Sequence, residues 1–153
     1  MSHVADVDLH ITDLDALGAA AEAAGFELVR DVKTYNWFGS FLNDWNDTDR
    51  AAIHRGIPEE LFGTCDHKLR RKGASEGEYE IGLTRVPGRE GYTPLYDSYG
   101  NGKQLERALG GAGLPALKQG YAAQVSAKQL RKQGYSVRIT QQTDGKLRVR
   151  GSR

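Results

Sequence analysis

The chain has 153 residues, 39% hydrophobic and 27% charged, with 19 Gly and 4 Pro, figures that suit one folded domain over 1–153 and exclude a disordered tail. No run approaches the roughly 20 apolar residues of a membrane span, Met1-Ser2-His3 lacks the regions of a signal peptide, and the single Cys65 has no partner for an internal disulfide; the expectation is a cytoplasmic protein with no membrane contact. The net charge of +1 conceals a division, because residues 1–65 hold 4 Lys/Arg against 12 Asp/Glu and residues 66–153 hold 17 against 8.

Ala5, Val7, Leu9 and Ile11 alternate with Asp6, Asp8 and His10, the period of a strand with one buried face. Thr12-Asp13-Leu14-Asp15 resembles a capping box with Thr12 as cap, Leu14, Leu17 and Ala21 give a helical stripe, and Gly25 stops it. Phe26 to Val32 reads as a second strand, so the chain opens β-α-β. Residues from about 33 to 75 show no sustained period and read as an irregular insertion. Within it Asp47-Thr48 can cap a short helix, and Pro58-Glu59-Glu60-Leu61 has the proline and acids of another helical start.

Order returns with Tyr79, Ile81 and Leu83 alternating with polar neighbours. A turn at Pro87–Gly91 and a returning strand from Tyr92 to Asp97 complete a hairpin. A glycine-rich stretch, Gly100 to Gly113, surrounds a short helix near Gln104–Leu109. The longest helix starts at Pro115, carries Leu117, Tyr121, Val125 and Leu130, and ends at Gly134. Tyr135, Val137 and Ile139, then Asp144-Gly145, then Leu147 and Val149 predict a second hairpin. This order predicts an α+β fold, a largely antiparallel sheet with helices packed on one face, ferredoxin-like with an insertion.

Met1-Ser2-His3, Asp13-Leu14-Asp15-Ala16-Leu17, Tyr79-Glu80-Ile81-Gly82, Gly91-Tyr92, Tyr121, Gly134-Tyr135 and Asp144-Gly145 together resemble a domain-of-unknown-function family of cyanobacterial and plastid conserved hypothetical proteins and their tailed-phage relatives. Trp37-Phe38-Gly39 and Cys65-Asp66-His67 look more like the phage branch. The resemblance implies an accessory role beside an AAA+ ATPase, and carries over no catalytic residue.

Among motifs, His54, Cys65 and His67 are the one cluster of soft metal ligands. A thiolate and two imidazoles suit zinc, but the spacing is poor for a structural site, and a packed cysteine with a hydrogen-bonded histidine is the simpler reading. The three Asp-x-Asp pairs, at 6/8, 13/15 and 47/49, are assigned to an exposed strand face and to helix starts. Gly100-Asn101-Gly102-Lys103 and Gly110–Gly113 invite a phosphate-loop reading, yet match neither phosphate-binding pattern; Lys103 stays a candidate anion contact. Trp37, Phe41 and Trp45 recur every four residues with Phe38 between, a stripe that is either core or a partner-binding surface.

Arg138, Arg148 and Arg150 share the outward face of the last hairpin, an anion-binding strip that faces either Asp6 and Asp8 or solvent. Direct nucleic-acid binding is disfavoured here, because no outward aromatic accompanies the charge. The resulting expectation is a non-enzymatic interaction protein associated with an AAA+ assembly. The alternatives are sequestration of a nucleotide or other small anion, and zinc binding.

Overall fold

A computed structural model describes residues 4–37 and 56–153, and five strands of the chain form one antiparallel sheet. The elements run β1 (Val4–Asp6), α1 (Leu14–Ala23), β2 (Phe26–Arg30), a 3-10 turn (Glu59–Leu61), β3 (His67–Arg71), β4 (Ile81–Thr84), β5 (Thr93–Asp97), α2 (Gly102–Ala108), α3 (Pro115–Lys132), β6 (Ser136–Gln141) and β7 (Leu147–Ser152). The main sheet has the order β1-β5-β4-β3-β2, and β6 and β7 form a separate two-stranded sheet. The α+β expectation holds. The two strands that α1 joins run parallel at opposite edges with three strands between them, whereas a ferredoxin-like sheet places one strand in that gap.

Helices cover one face. Leu17 and Ala21 of α1, Leu105 of α2 and Leu117 and Tyr121 of α3 share a core with Phe26, Leu69, Ile81, Leu83 and Tyr96 of the strands. The opposite face is covered too, by Tyr35, Ile57, Phe62 and Cys65 packed on Val4, Val86 and Leu95. All five residues of β5 are buried as a result, because its alternating side chains enter two different cores. The described part of the expected insertion is therefore a covering layer, and its last third contains a strand. The run His67-Lys68-Leu69-Arg70-Arg71 offers one aliphatic side chain, so its sequence hid a strand that lies between β2 and β4.

Two local details also depart from the expected pattern. Asp13 is the residue that caps α1, its carboxylate accepting from the Ala16 N–H at 3.0 Å, while Thr12 N–H donates to the Tyr121 hydroxyl of α3 at 3.0 Å. Asp6 is not on an open face: its side chain is nearly buried and meets the Arg89 guanidinium at 3.3 Å. Gly82 has a steric cause, since a Cβ built there would lie 2.3 Å from the Tyr35 ring that crosses β4.

Candidate anion-binding face

The C-terminal hairpin is built from two six-residue strands in full register, Ser136 opposite Ser152 and Gln141 opposite Leu147. A lone two-stranded ribbon is marginal in water. Here Val137, Ile139, Leu147 and Val149 are half-buried and the ribbon packs on α3, while α3 in turn packs on α1. An apolar groove of about 390 Å³ persists between helix and ribbon, lined by Ala123, Ser126, Leu147 and Val149 among others. Tyr135 lies over Gly151, where a Cβ would approach its ring to 3.2 Å, and the Arg153 guanidinium stacks 4.5 Å from that ring's centre.

Period-two geometry sends the other set of side chains outward. Arg138 stands directly opposite Arg150, Thr140 opposite Arg148 and Ser136 opposite Ser152, all exposed. Among the described residues, no ion pair or hydrogen bond engages the side chains of Arg138, Arg148 or Arg150. Like charges directly across a ladder are destabilising. A hollow of about 350 Å³ opens on this face between Ser136, Arg138, Arg150 and Ser152.

Among the described residues, acids of the N-terminal half pair with cations outside the ribbon, mostly from the C-terminal half. Asp6 meets Arg89, Asp15 meets Arg30 at 2.7 Å, Glu22 meets Lys72, and Asp13 meets Lys128 at 2.8 Å. The hydrogen bond from Lys128 and the Ala16 N–H hold the Asp13 carboxyl below the usual aspartate range, and Asp13 raises Lys128 correspondingly. The basic ribbon takes no part in this pairing because it is not in the main sheet, where Glu27 of β2 stands opposite Arg70 of β3.

The remaining candidates are dispersed. Lys103 lies on α2 and donates to Glu106 at 3.2 Å, apart from the arginine strip. Gly102 is sterically required, since a Cβ there would fall on the Asp97 carbonyl; Gly110, Gly111 and Gly113 carry positive φ in the α2–α3 turn. Trp37 is half-buried and packs against the second core, its indole filling the space where a Cβ on Gly63 would stand. Phe38, Phe41, Trp45, the Asp47-Thr48 start and His54 lie outside the described residues.

Cys65 and His67 do not converge. A bend at Asp66 separates them, so Cys65 enters the insertion-side core while His67 shares the helix-side face of β3 with Leu69. In an unbroken strand positions 65 and 67 would share a face, and the bend at Asp66 parts them. Burial pushes the Cys65 thiol up to about 11. His67 Nδ1 accepts from the Asp31 N–H at 3.0 Å, and its Nε2 lies 3.3 Å from the Tyr92 hydroxyl. Arg85 donates to the same hydroxyl at 3.0 Å and covers the Tyr92 ring. Among the described residues no three His, Cys, Asp or Glu side chains converge as a metal site. Sequence reasoning missed the His67–Tyr92–Arg85 cluster, since the register of β3 is needed to join residues 18 and 25 positions apart. It also passed over Ser136, Thr140 and Ser152, which the alternation itself puts on the arginine face.

No protein-family model, curated protein or solved structure matches the chain. Among the described residues no helix is long and apolar enough to cross a membrane.

Proposed function

We propose that this protein acts by binding, as an accessory or interaction protein that grips an anionic partner with the arginine face of its C-terminal hairpin. The observation that carries the reading is the directly opposed pair Arg138 and Arg150 with Arg148 beside it, three exposed guanidiniums without a partner among the described residues. Such an arrangement costs stability in the free protein and is relieved when an anion spans it. The side-chain packing around Cys65 and the closed hydrogen bonding of His67 support a structural role for those residues.

The family resemblance makes an AAA+ ATPase assembly the first protein partner to try, with an acidic surface as the recognised chemistry. Poly-L-glutamate serves as a defined anionic probe beside it. Binding to either that weakens with salt and is lost on replacing Arg138, Arg148 and Arg150 by Gln is the expected result. No anion of any kind bound at micromolar protein, in low salt, refutes the reading. A small phosphate ligand is the second reading, favoured by the hollow bounded by two arginines and two serines. Saturating nucleotide would then raise the melting temperature, since a ligand at a hundred times its Kd adds about 2.7 kcal/mol.

A further inference from the structure

We infer that the anionic partner of the hairpin is duplex DNA, with the ribbon seated in its major groove; this rests on the anion-binding reading above and names the partner class. Shape is the first argument. Two strands lie about 4.8 Å apart, and a two-stranded ribbon is one of the elements that the roughly 12 Å wide major groove of B-form DNA admits. The β6–β7 ribbon is separate from the main sheet, is supported from behind by α3, and has its other face open.

Chemistry is the second argument. The outward face is three successive cross-strand pairs, Ser136/Ser152, Arg138/Arg150 and Thr140/Arg148, set about 6.8 Å apart along the strands. Every one of these side chains can donate a hydrogen bond, and none is a carboxylate. Arginine forks match the O6 and N7 acceptors of guanine and also phosphate oxygens, and hydroxyls serve either. An acidic protein would satisfy the arginines but has no need of the groove-width ribbon. Arg131 and Lys132 in the last turn of α3 and Lys146 before β7 add positive charge near the ribbon, against the single carboxylate Asp144 in its turn.

The face has no exposed aromatic, so stacking on unpaired bases contributes nothing and duplex is favoured over single strand. The narrow, deep major groove of A-form RNA excludes the ribbon, so RNA duplex should bind weakly.

The test is fluorescence anisotropy of the full chain with a labelled DNA duplex, the RNA duplex and single strand of the same sequence, and poly-L-glutamate. The expected result is tightest binding to the DNA duplex, weakened roughly 40-fold between about 50 and about 200 mM salt if three cations release counterions. The variant R138Q/R148Q/R150Q should lose at least tenfold in affinity and most of that salt dependence. Its melting curve shows whether the fold survives; if it does not, the single variants R148Q and R150Q carry the same expectation, each weakening DNA binding with the fold intact. RNA duplex or single strand bound as tightly as DNA duplex overturns the inference, as does arginine-independent DNA binding. Poly-L-glutamate bound through the arginines without DNA binding overturns the inference and leaves the anion-binding reading standing. Binding to none of the probes removes both.

Discussion

Replacing Tyr121 by Phe isolates one of the contacts by which α3, and with it the basic ribbon, is held to the rest of the protein. The Tyr121 ring is buried in the helix-side core, and its hydroxyl accepts from the Thr12 N–H at 3.0 Å and the Asp13 N–H at 3.2 Å. These two donors lie at the start of α1, where backbone N–H groups have no intrahelical partner, so a side chain of α3 completes the N-terminus of α1. Phenylalanine keeps the ring and its packing and removes the acceptor. Two hydrogen bonds at a net 0.5 to 1.5 kcal/mol each give a loss of about 1–2 kcal/mol, toward the lower end because Thr12 is exposed and water can replace part of the bonding. For a chain of this length the melting temperature should fall by about 2–8 °C. Urea unfolding should show a lower midpoint at unchanged m, with faster amide exchange at Thr12 and Asp13. An unfolding free energy within about 0.3 kcal/mol of the parent, or unchanged exchange at those two amides, would refute the assignment of Tyr121 as a clasp.

Gly82→Ala should destabilise by about 1–3 kcal/mol, since the new methyl falls inside the Tyr35 ring position and the sheet is closed on both sides there; the pair Gly82→Ala with Tyr35→Ala should be less than additive in urea unfolding. Cys65 should resist a thiol-specific colorimetric reagent at pH 8 in the native protein and react fully in denaturant, because its thiol is buried and its pKa stands at about 11. The folded Asp13 pKa lies below its unfolded value near 3.8, so its contribution is complete above that value and is lost as pH falls through the folded pKa. Asp13→Asn, which keeps a capping side chain, should flatten the fall of stability in acid below about pH 4 while leaving the slope at neutral pH unchanged, as read by thermal melts across pH.

Residues whose patterning is local were legible from the chain alone. Pro115 and Gly134 bound α3 within the expected span, Gly25 ends α1 with positive φ, and Asp144-Gly145 closes the last hairpin, because caps and turns depend on a few neighbouring residues. The outward set Arg138, Arg148 and Arg150 followed from alternation for the same reason. Strand β3 was illegible: with Lys68, Arg70 and Arg71 in it, only its place between β2 and β4, and the ion pair of Lys68 with Glu80 at 3.0 Å, make it a strand.

Amino-acid order by itself determined the α+β class, the ends of α3, the stop of α1 and the arginine face of the ribbon, since each depends on spacing within a few residues. Tertiary structure alone decided which charges meet, that β1 and β2 occupy opposite edges, that a second layer buries the far face, and that Cys65 parts from His67. Those facts depend on register and packing between segments tens of residues apart, where pairing is selected by burial of the whole body and leaves no periodic trace in the chain.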